Sequence, residues 1–483
     1  MQIAIVLSSG IVLLNVLGAC GSSGVDSHPS TDGGVVEDVG QTQGSDGSGT
    51  KACAQPSGWS TASGLWALPF ALAGTDDAAS QPTTQYHTLL DMDGDGRPDL
   101  LVHRDEREDP DPLVGKAYWL VFKNNEKGFD TSPMQWRLPF SLGGSMGAAN
   151  EPANGLHALM DIDGDGRPDF VVYRDSERED PDPLVGRAYW LVFKNNGQGF
   201  DAEARTWRIP YDLGGSQGPA NQPATSFHAL LDLDGDRRPD FLVHREGERP
   251  DVDPLVAKNH WLVFKNTGSG FDLKAMPWRI PYDLSLFEAS QPSSQGHDLL
   301  DMDGDGRPDF LVRRDIERPS GDPLVGKNHW LVFSNTGSSF ASEGAIWRLP
   351  YDLGGNAGAF NELSTQGHSV MDLNGDGRPD FLVTRDIERR DPDPLVGKHH
   401  WIIFSNTKSA FDLEGTTWTI PYDLGGSLSV KSQPATSFHA LLDLNGDGMP
   451  DFLVHRNGED ETSDPLMGKS YWWLFQDHCY DQE

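Results

Sequence analysis

The chain of 483 residues has few basic side chains, few cysteines and almost no long apolar segments. Its 38 Lys and Arg residues stand against 73 Asp and Glu residues, which gives a formal net charge of −35 at pH 7. Nucleic acids and anionic lipid headgroups are bound by clustered Lys and Arg side chains. The charge balance therefore argues against a nucleic-acid partner and against direct docking on a lipid surface.

Motifs typical of enzymes are also lacking. The sequence contains no H-E-x-x-H metal motif and no glycine loop of the kind that binds phosphate. Its closely spaced carboxylates belong to loops that recur along the whole chain, and no single unit carries an insertion that would mark a catalytic site. We therefore expect a protein that is not an enzyme.

The abundant residues indicate a folded, turn-rich chain. Glycine (54 residues) and proline (33 residues) together make up about 18 % of the sequence, which favours tight turns over long helices. Fourteen Trp and 22 Phe residues are too many for a disordered acidic chain, because such chains lack the aromatic side chains that build a core.

Residues 3–19 form an apolar run that suits the core of a signal peptide and is short for a membrane span. The run ends in Leu17-Gly18-Ala19-Cys20, which resembles the lipobox of bacterial lipoproteins, where the cysteine is lipidated and becomes the new N-terminus. No Lys or Arg precedes the run, unlike in most signal peptides, and a plain secretory signal is the alternative.

Three segments are predicted from this organisation. Residues 1–19 are the signal peptide, residues 20–56 are a lipid anchor and a flexible tether rich in Gly, Ser and Asp, and residues 57–483 are the folded region. The protein is then expected on the bacterial cell envelope, held to a membrane only through lipid on Cys20, or secreted if the cysteine is not lipidated.

The folded region contains six similar units. The most regular part of each unit is an acidic loop, and successive loops start 70, 71, 69, 71 and 71 residues apart. Each unit also has four segments rich in β-branched and aromatic residues, which predict strands A to D. In the third unit the predicted strands are His228–Leu233, Asp240–Arg245, His260–Lys265 and Trp278–Tyr282.

The chain ends favour a closed ring over an open solenoid. Trp66–Phe70 matches strand D but precedes the first strand A, whereas the last unit has A (His439–Leu444), B (Asp451–Arg456) and C (Tyr471–Phe475) without a D. The N-terminal strand can therefore complete the last unit and remove the bare edges that a solenoid would leave. The predicted fold is all-β, a six-bladed β-propeller with four-stranded blades.

Two cysteines flank these ends. With Cys20 assigned to lipidation, Cys53 and Cys479 are predicted to form a disulfide that fastens the ring, and the alternative is that both are free thiols.

The acidic loops follow the pattern D-x-[DN]-G-D-G-x-P-D, with oxygen donors at positions 1, 3, 5 and 9 and a main-chain carbonyl available at position 7. Ca²⁺ takes six to eight oxygen ligands, and alternate residues of a tight loop converge on one point. We predict up to six calcium ions, one per blade. The predicted ligand residues are Asp91, Asp93, Asp95, Arg97 and Asp99; Asp161, Asp163, Asp165, Arg167 and Asp169; Asp232, Asp234, Asp236, Arg238 and Asp240; Asp301, Asp303, Asp305, Arg307 and Asp309; Asp372, Asn374, Asp376, Arg378 and Asp380; and Asp443, Asn445, Asp447, Met449 and Asp451.

The third loop departs from the pattern. Arg237 replaces the glycine at position 6, which removes backbone freedom and adds a cation beside the carboxylates. We expect this loop to be the weakest calcium site.

These units resemble FG-GAP/VCBS repeats, the blades of integrin α-subunit propellers and of many bacterial surface proteins, over residues 59–479. The most specific part of the resemblance is the acidic loop followed by an apolar strand such as Asp169-Phe170-Val171-Val172. The resemblance implies a propeller in which each such loop holds a structural Ca²⁺. The FG-GAP tripeptide itself is not evident and the B–C loop is long, so the resemblance does not imply a ligand.

A histidine stands four residues before each acidic loop. It either lines the axial channel as a ring that binds an ion or responds to pH, or it hydrogen-bonds within its own blade, which we favour. The six are His87, His157, His228, His297, His368 and His439.

An arginine ends each predicted strand B, followed by an acidic stretch and D-P-L-[VM]-[GA]-[KR]. These arginines are candidate ligand-binding residues, unless the charges pair with one another. They are Arg104, Arg174, Arg245, Arg314, Arg385 and Arg456.

Two tryptophans recur in each unit, and they either stack on sugars, as in lectin propellers, or pack between blades, which we favour. The strand C series is Trp119, Trp190, Trp261, Trp330, Trp401 and Trp472; the strand D series is Trp66, Trp136, Trp207, Trp278, Trp347 and Trp418. Together these features predict a monomeric, calcium-stabilised binding or adhesion module for an unknown protein or glycan. A carbohydrate-binding lectin and a polysaccharide-processing enzyme are the alternatives.

Overall fold

A computed structural model describes most of the folded region. The described residues are 3–7, 10–14, 56–72, 80–105, 107, 109–142, 150–215, 221–285, 290–318, 321–355, 361–456 and 464–479. They form 28 β-strands and include the 3-10 turn Val430–Ser432, and they contain no α-helix. None of these residues belongs to a helix long and apolar enough to cross a membrane.

Near the N-terminus, β1 (Ile3–Leu7) pairs antiparallel with β2 (Gly10–Leu14), and β3 (Pro56–Trp59) and β4 (Gly64–Ala67) follow. Each of the first five blades has four consecutive antiparallel strands. They are β5 (His87–Leu90), β6 (Asp99–Val102), β7 (Tyr118–Phe122) and β8 (Met134–Arg137); β9 (His157–Met160), β10 (Asp169–Val172), β11 (Tyr189–Phe193) and β12 (Arg205–Arg208); β13 (His228–Leu231), β14 (Asp240–Val243), β15 (His260–Phe264) and β16 (Met276–Arg279); β17 (His297–Leu300), β18 (Asp309–Val312), β19 (His329–Phe333) and β20 (Ala345–Arg348); and β21 (His368–Met371), β22 (Asp380–Val383), β23 (His400–Phe404) and β24 (Thr416–Thr419).

The sixth blade combines both ends of the chain. Its strands β25 (His439–Leu442), β26 (Asp451–Val454) and β27 (Tyr471–Phe475) are completed by β4, whose Trp66 lies opposite Trp472. Apolar clusters join each blade to the next, and one of them joins the sixth blade to the first through Trp472, Leu444, Phe129 and Leu100. The predicted six-bladed ring, closed by an N-terminal strand, is confirmed.

The predicted D strands were misplaced. In the third blade the strand covers Met276–Arg279 instead of Trp278–Tyr282, and in the sixth it covers Gly64–Ala67 instead of Trp66–Phe70. Pro281 and Pro69 have no N–H and cannot donate to a neighbouring strand, so each strand ends before its proline. The A and B strands of the third blade also end two residues earlier than predicted.

The blades pack through a repeated aromatic contact. Phe129 of the first blade lies edge-on between Trp66 and Trp472 of the sixth, with ring centroids 5.9 and 6.0 Å apart. Equivalent phenylalanines fill the next four interfaces, and all twelve tryptophans of the two series are at most 3 % exposed. Packing between blades is therefore confirmed, and sugar stacking on these tryptophans is wrong.

Trp59 fills the corresponding position between the fifth and sixth blades. Its ring lies 5.3 Å from Trp401 and 5.5 Å from Trp418, and its Nε1–H donates to the Pro450 carbonyl at 2.8 Å. In the other five interfaces an asparagine Nδ2 donates to the equivalent proline carbonyl. These asparagines are Asn124, Asn195, Asn266, Asn335 and Asn406. One N-terminal side chain thus replaces two residues of the repeat, a role that no pattern in the sequence indicated.

The strand that carries Trp59 extends the fifth blade. Strand β3 lies beside β24 with Gly58 opposite Thr419, where a Cβ on Gly58 would meet the Thr419 nitrogen at 2.4 Å. The last strand, β28 (Asp477–Cys479), pairs with β3 and places Cys479 opposite Pro56. Cys20, Cys53 and the side chain of Cys479 lie outside the described residues, so the lipidation and the disulfide stay predictions.

Candidate metal centres

The aspartate at position 1 organises each acidic loop. Asp91 Oδ1 accepts a hydrogen bond from Gly94 N at 2.7 Å, and its Oδ2 accepts one from Gly96 N at 2.8 Å. The same two bonds recur in all six loops. In the third loop Arg237 provides the second amide and adopts φ = 69°, a left-handed conformation that disfavours a side chain. The expected backbone cost of Arg237 is therefore present in the structure.

The aspartate at position 9 forms the buried base of the loop. Asp99 is 1 % exposed, and its Oδ1 accepts a hydrogen bond from Asn124 N at 2.9 Å. Burial, opposed by backbone hydrogen bonds and reinforced by the neighbouring carboxylates, raises the pKa of Asp99 to about 7 and that of Asp169 to about 8. In the absence of a cation, these carboxyl groups therefore titrate near neutral pH instead of near pH 4.

The structure brings most of the predicted carboxylates together. Oxygens from positions 1, 3 and 9 lie within 4.8 Å of one another in the first, second and fourth loops, and those from positions 1, 3 and 5 do so in the third. The fifth and sixth loops have Asn374 and Asn445 at position 3, and no such group of three carboxylates was found among their described residues.

The donor set fits a hard divalent cation. Asp163 Oδ1, Asp169 Oδ2 and Asp240 Oδ2 are buried and accept no hydrogen bond. Buried carboxylate oxygens without a partner are costly, and a cation that prefers oxygen ligands would satisfy them. The residues present therefore suit Ca²⁺.

The side chains at positions 5 and 7 connect neighbouring loops. Arg97 pairs with Asp95 at 2.6 Å, and a Cβ on Gly446 of the sixth blade would lie 2.7 Å from the Arg97 Cγ. Equivalent close approaches of a position-7 side chain to the position-4 glycine of the preceding blade occur around the whole ring. From the sequence, position 7 was predicted to contribute only a main-chain carbonyl, and the loop pattern does not indicate this bridge.

Three lysines also enter the acidic loops. Lys123 pairs with Asp93, Lys194 pairs with Asp163, and Lys265 Nζ lies 2.5 Å from Asp234 Oδ2. Each lysine directly follows strand C, where the later blades have Ser334, Ser405 and Gln476. The sequence contained this difference, but nothing in it showed that the end of strand C faces the A–B loop.

The six repeated histidines are completely buried. His157 Nε2 bonds to the Glu151 carbonyl at 2.9 Å, Nδ1 bonds to Glu177 at 2.8 Å, and the ring stacks on Phe170 with centroids 4.5 Å apart. The interpretation that they bond within their own blades is confirmed. A freely accessible histidine ring along the channel is excluded.

The six repeated arginines lie at the other face of the ring. Arg104 is placed over the Tyr86 ring at 5.4 Å and donates to the Gln85 carbonyl at 3.2 Å, and Arg385 Nε donates to the Ser427 carbonyl at 2.9 Å. These contacts hold the segments that lead into strand A. Ligand contact by the arginines stays a hypothesis.

The B–C loops end in hydrogen-bonded tips with an exposed leucine. Asp111 Oδ1 accepts a hydrogen bond from Leu113 N at 2.9 Å, and Tyr118 donates to Asp111 Oδ2 at 2.6 Å. Val114 is buried beneath the tip. All six tips share this aspartate cap, and their leucines are between 44 and 50 % exposed. These are Leu113, Leu184, Leu255, Leu324, Leu395 and Leu466.

An open cleft of about 430 Å³ lies on the fourth blade, beside the C–D segment of the fifth. Two of its lining residues, Ile346 and Leu413, are 60 and 56 % exposed. Lys327, Arg348 and Asp352 line the same cleft.

Comparison with known proteins gives a repeat family and several distant structures. The family model described as FG-GAP-like repeat matches residues 91–172, 161–243 and 301–383. No curated protein matches the chain. Among solved structures, the Photorhabdus luminescens Tc holotoxin pore is 14 % identical, with a TM-score of 0.48 over 87 % of this chain. The chain spans 15 % of the length of that toxin chain.

Two smaller proteins also match. An Agrocybe aegerita lectin that recognises non-reducing terminal N-acetylglucosamine is 19 % identical, with a TM-score of 0.40, over 82 % of this chain and 81 % of the lectin. An α-L-arabinofuranosidase from Clostridium thermocellum is 11 % identical, with a TM-score of 0.23, over 70 % of this chain and 94 % of the enzyme.

Proposed function

The chain is an FG-GAP repeat protein, and we propose that it is a calcium-stabilised propeller that binds a ligand outside the cell without catalysing a reaction. Its signal-like N-terminus and Cys20 support display on a bacterial envelope. One observation carries the proposal: the acidic loops and the six leucine tips lie on opposite faces of one ring. In an antiparallel blade, the A–B and B–C connections lie at opposite ends of the strands. The loops that would bind calcium are therefore separate from the loops that would bind the ligand.

Calcium would be held by the carboxylates at positions 1, 3, 5 and 9 of each loop, with asparagine at position 3 in two blades. The bound ion would neutralise carboxylates that otherwise repel one another. The protein itself fixes the positions of these carboxylates. The position-1 aspartate accepts hydrogen bonds from two loop amides, and the position-9 aspartate accepts one from the main chain of an asparagine. The side chain of that asparagine donates to the preceding blade, as Asn124 does to the Leu444 carbonyl at 2.8 Å.

The opposite face suits a partner with apolar and basic groups. A single exposed leucine is ordinary, but six in equivalent aspartate-capped turns form a repeated surface that packing within the chain does not explain. The first B–C loop, residues 105–116, has five acidic and two basic side chains. We therefore propose a basic, partly apolar protein segment as the ligand, in keeping with an adhesion role.

Panning of a displayed random-peptide library tests this proposal. The full chain in calcium should enrich peptides that combine Lys or Arg with aliphatic residues. Leu113→Ser, Leu255→Ser and Leu395→Ser in one variant should reduce their capture at least about tenfold, whereas Leu65→Ser, at a more exposed leucine on β4, should not. Equal capture by both variants would contradict the proposed surface.

A lectin is the second candidate, because the cleft on the fourth blade combines polar groups with exposed Ile346 and Leu413. A glycan array with and without EDTA separates the two candidates. Glycan binding that Arg348→Ala abolishes and the leucine variant leaves unchanged would favour the lectin. Release of new reducing ends from any polysaccharide on incubation would contradict the proposal that the protein is not an enzyme.

A further inference from the structure

The charge around the acidic loops differs systematically between blades. In the first three blades position 3 is an aspartate and its carboxylate pairs with Lys123, Lys194 or Lys265. Lys194 also lies 3.1 Å from Asp165 at position 5. The lysine ammonium therefore occupies the side of the loop where a cation would sit.

The last two blades lack both the position-3 carboxylate and the lysine. They have Asn374 or Asn445 at position 3, and Ser405 or Gln476 in place of the lysine. Counting the four ligand positions and the residue after strand C, the first three blades have four carboxylates and one ammonium. The fifth and sixth have three carboxylates and no ammonium, so the formal charge of this set is −3 in all five. The set leaves out position 7, where an arginine pairs with the position-5 aspartate in the first five loops and Met449 stands in the sixth. With position 7 included, the fourth and sixth loops both carry −3, and the fourth differs from the sixth in having four carboxylates instead of three.

The fourth blade is the exception. It keeps four carboxylates, at positions 1, 3, 5 and 9, but Ser334 stands after strand C, so the charge of the set is −4. Among the described residues, no Lys or Arg forms an ion pair with Asp303: Arg307 pairs with Asp305, and both Arg307 and the exposed Lys408 of the next blade act on Asp303 only through their electrostatic fields. Oxygens of Asp301, Asp303 and Asp309 lie within 4.8 Å of one another.

We infer that the fourth loop is the tightest calcium site and that Lys123, Lys194 and Lys265 are resident counter-ions that lower the calcium affinity of the first three loops. The inference rests on the proposed calcium binding. Calcium affinity in loops of oxygen ligands depends on the number of charged ligands and on the rigidity of the site. In the first three loops, calcium must also displace an ammonium from a carboxylate that would become its ligand, a cost that the fourth loop does not have.

Calorimetric titration of the calcium-free full chain tests this inference. We expect one site at least about tenfold tighter than the others. Ser334→Lys should remove this tight phase, because it places an ammonium beside Asp303. Ser405→Lys is the matched control: it adds the same charge at the same position of the next blade, where Asn374 offers no carboxylate to pair with, and it should leave the tight phase unchanged.

The reverse substitution adds a second arm. Lys123→Met, Lys194→Met and Lys265→Met together should convert three weak sites into tighter ones and increase the number of ions bound in the tight phase. Competition with a fluorescent chelator gives the same affinities independently, and melting in EDTA identifies variants that do not fold. Binding with one affinity that neither substitution changes would overturn the inference and leave the proposed function intact, whereas the absence of any binding at millimolar calcium would overturn both.

Discussion

Trp59 lies outside the repeats, and its contacts predict that it contributes a large share of the stability of the ring. It is 2 % exposed and contacts Trp401, Trp418 and Phe452, with the last ring centroid 5.5 Å away. Removing a buried tryptophan side chain costs about 3–5 kcal/mol, because atoms leave a packed site that closes only in part. Trp59→Ala should therefore lower the free energy of unfolding by about that amount.

Trp59→Phe separates packing from hydrogen bonding. Phenylalanine fills this position in the other five interfaces, so the ring contacts should largely persist. The Pro450 carbonyl, however, loses its donor, since the asparagine that serves the other blades is replaced by Asp477 at the corresponding position. An unsatisfied buried acceptor costs about 1–3 kcal/mol, so Trp59→Phe should lie between the native chain and Trp59→Ala.

Urea unfolding in EDTA, followed by tryptophan fluorescence and by circular dichroism, measures these differences. Leu65→Ala is the control, because Leu65 is also in the N-terminal segment but is 60 % exposed, and surface changes stay within about 0.5 kcal/mol. The stabilising role of Trp59 would be refuted if Trp59→Ala were no more destabilising than Leu65→Ala.

Three further predictions concern the acidic loops. Chelation should lower the melting temperature, because an ion at a hundredfold its Kd stabilises the native state by about 2.7 kcal/mol per site; equal melts in EDTA and calcium would contradict this. Arg237→Gly should increase the calcium affinity of the third site, because glycine adopts the positive φ without strain. Calorimetry would measure the change, and an unchanged isotherm would contradict the prediction. In EDTA, stability should rise as pH falls from 8.5 to 6.8: Asp99 and Asp169 have pKa values of about 7 and 8 in the folded chain and about 3.8 unfolded, so the folded state binds more protons. Burial lowers the pKa of His103 to about 3, which opposes this trend only below about pH 6.5; a melting temperature that rises with pH across the window would contradict the assignment.

The fold could be predicted because its evidence is local and repeated. The acidic loops, the strand segments and the missing last D strand are all visible in a single chain, and the geometry of a propeller joins them. Trp59 could not be found this way, because its partner Pro450 lies 391 residues away and its role exists only once the ring has closed. The role of Lys123 was not predicted for a related reason: its ion pair joins the end of strand C to the A–B loop, and these segments become neighbours only through the pairing of strands B and C.

The interfaces between blades show which features the ring requires. Six blades close only if each interface turns the chain by a similar angle, and the position-7 side chain lies on the preceding glycine whether it is Arg97 or Met449. Trp59 likewise reproduces the shape of a phenylalanine and the hydrogen bond of an asparagine. The shape of the side chains that pack between blades is therefore similar at every interface, whereas the charge of the acidic loops differs from blade to blade. This explains how the acidic loops can differ in aspartate, asparagine and lysine content without altering the blades. Under the proposed calcium binding, each loop could then have its own affinity on one fixed scaffold.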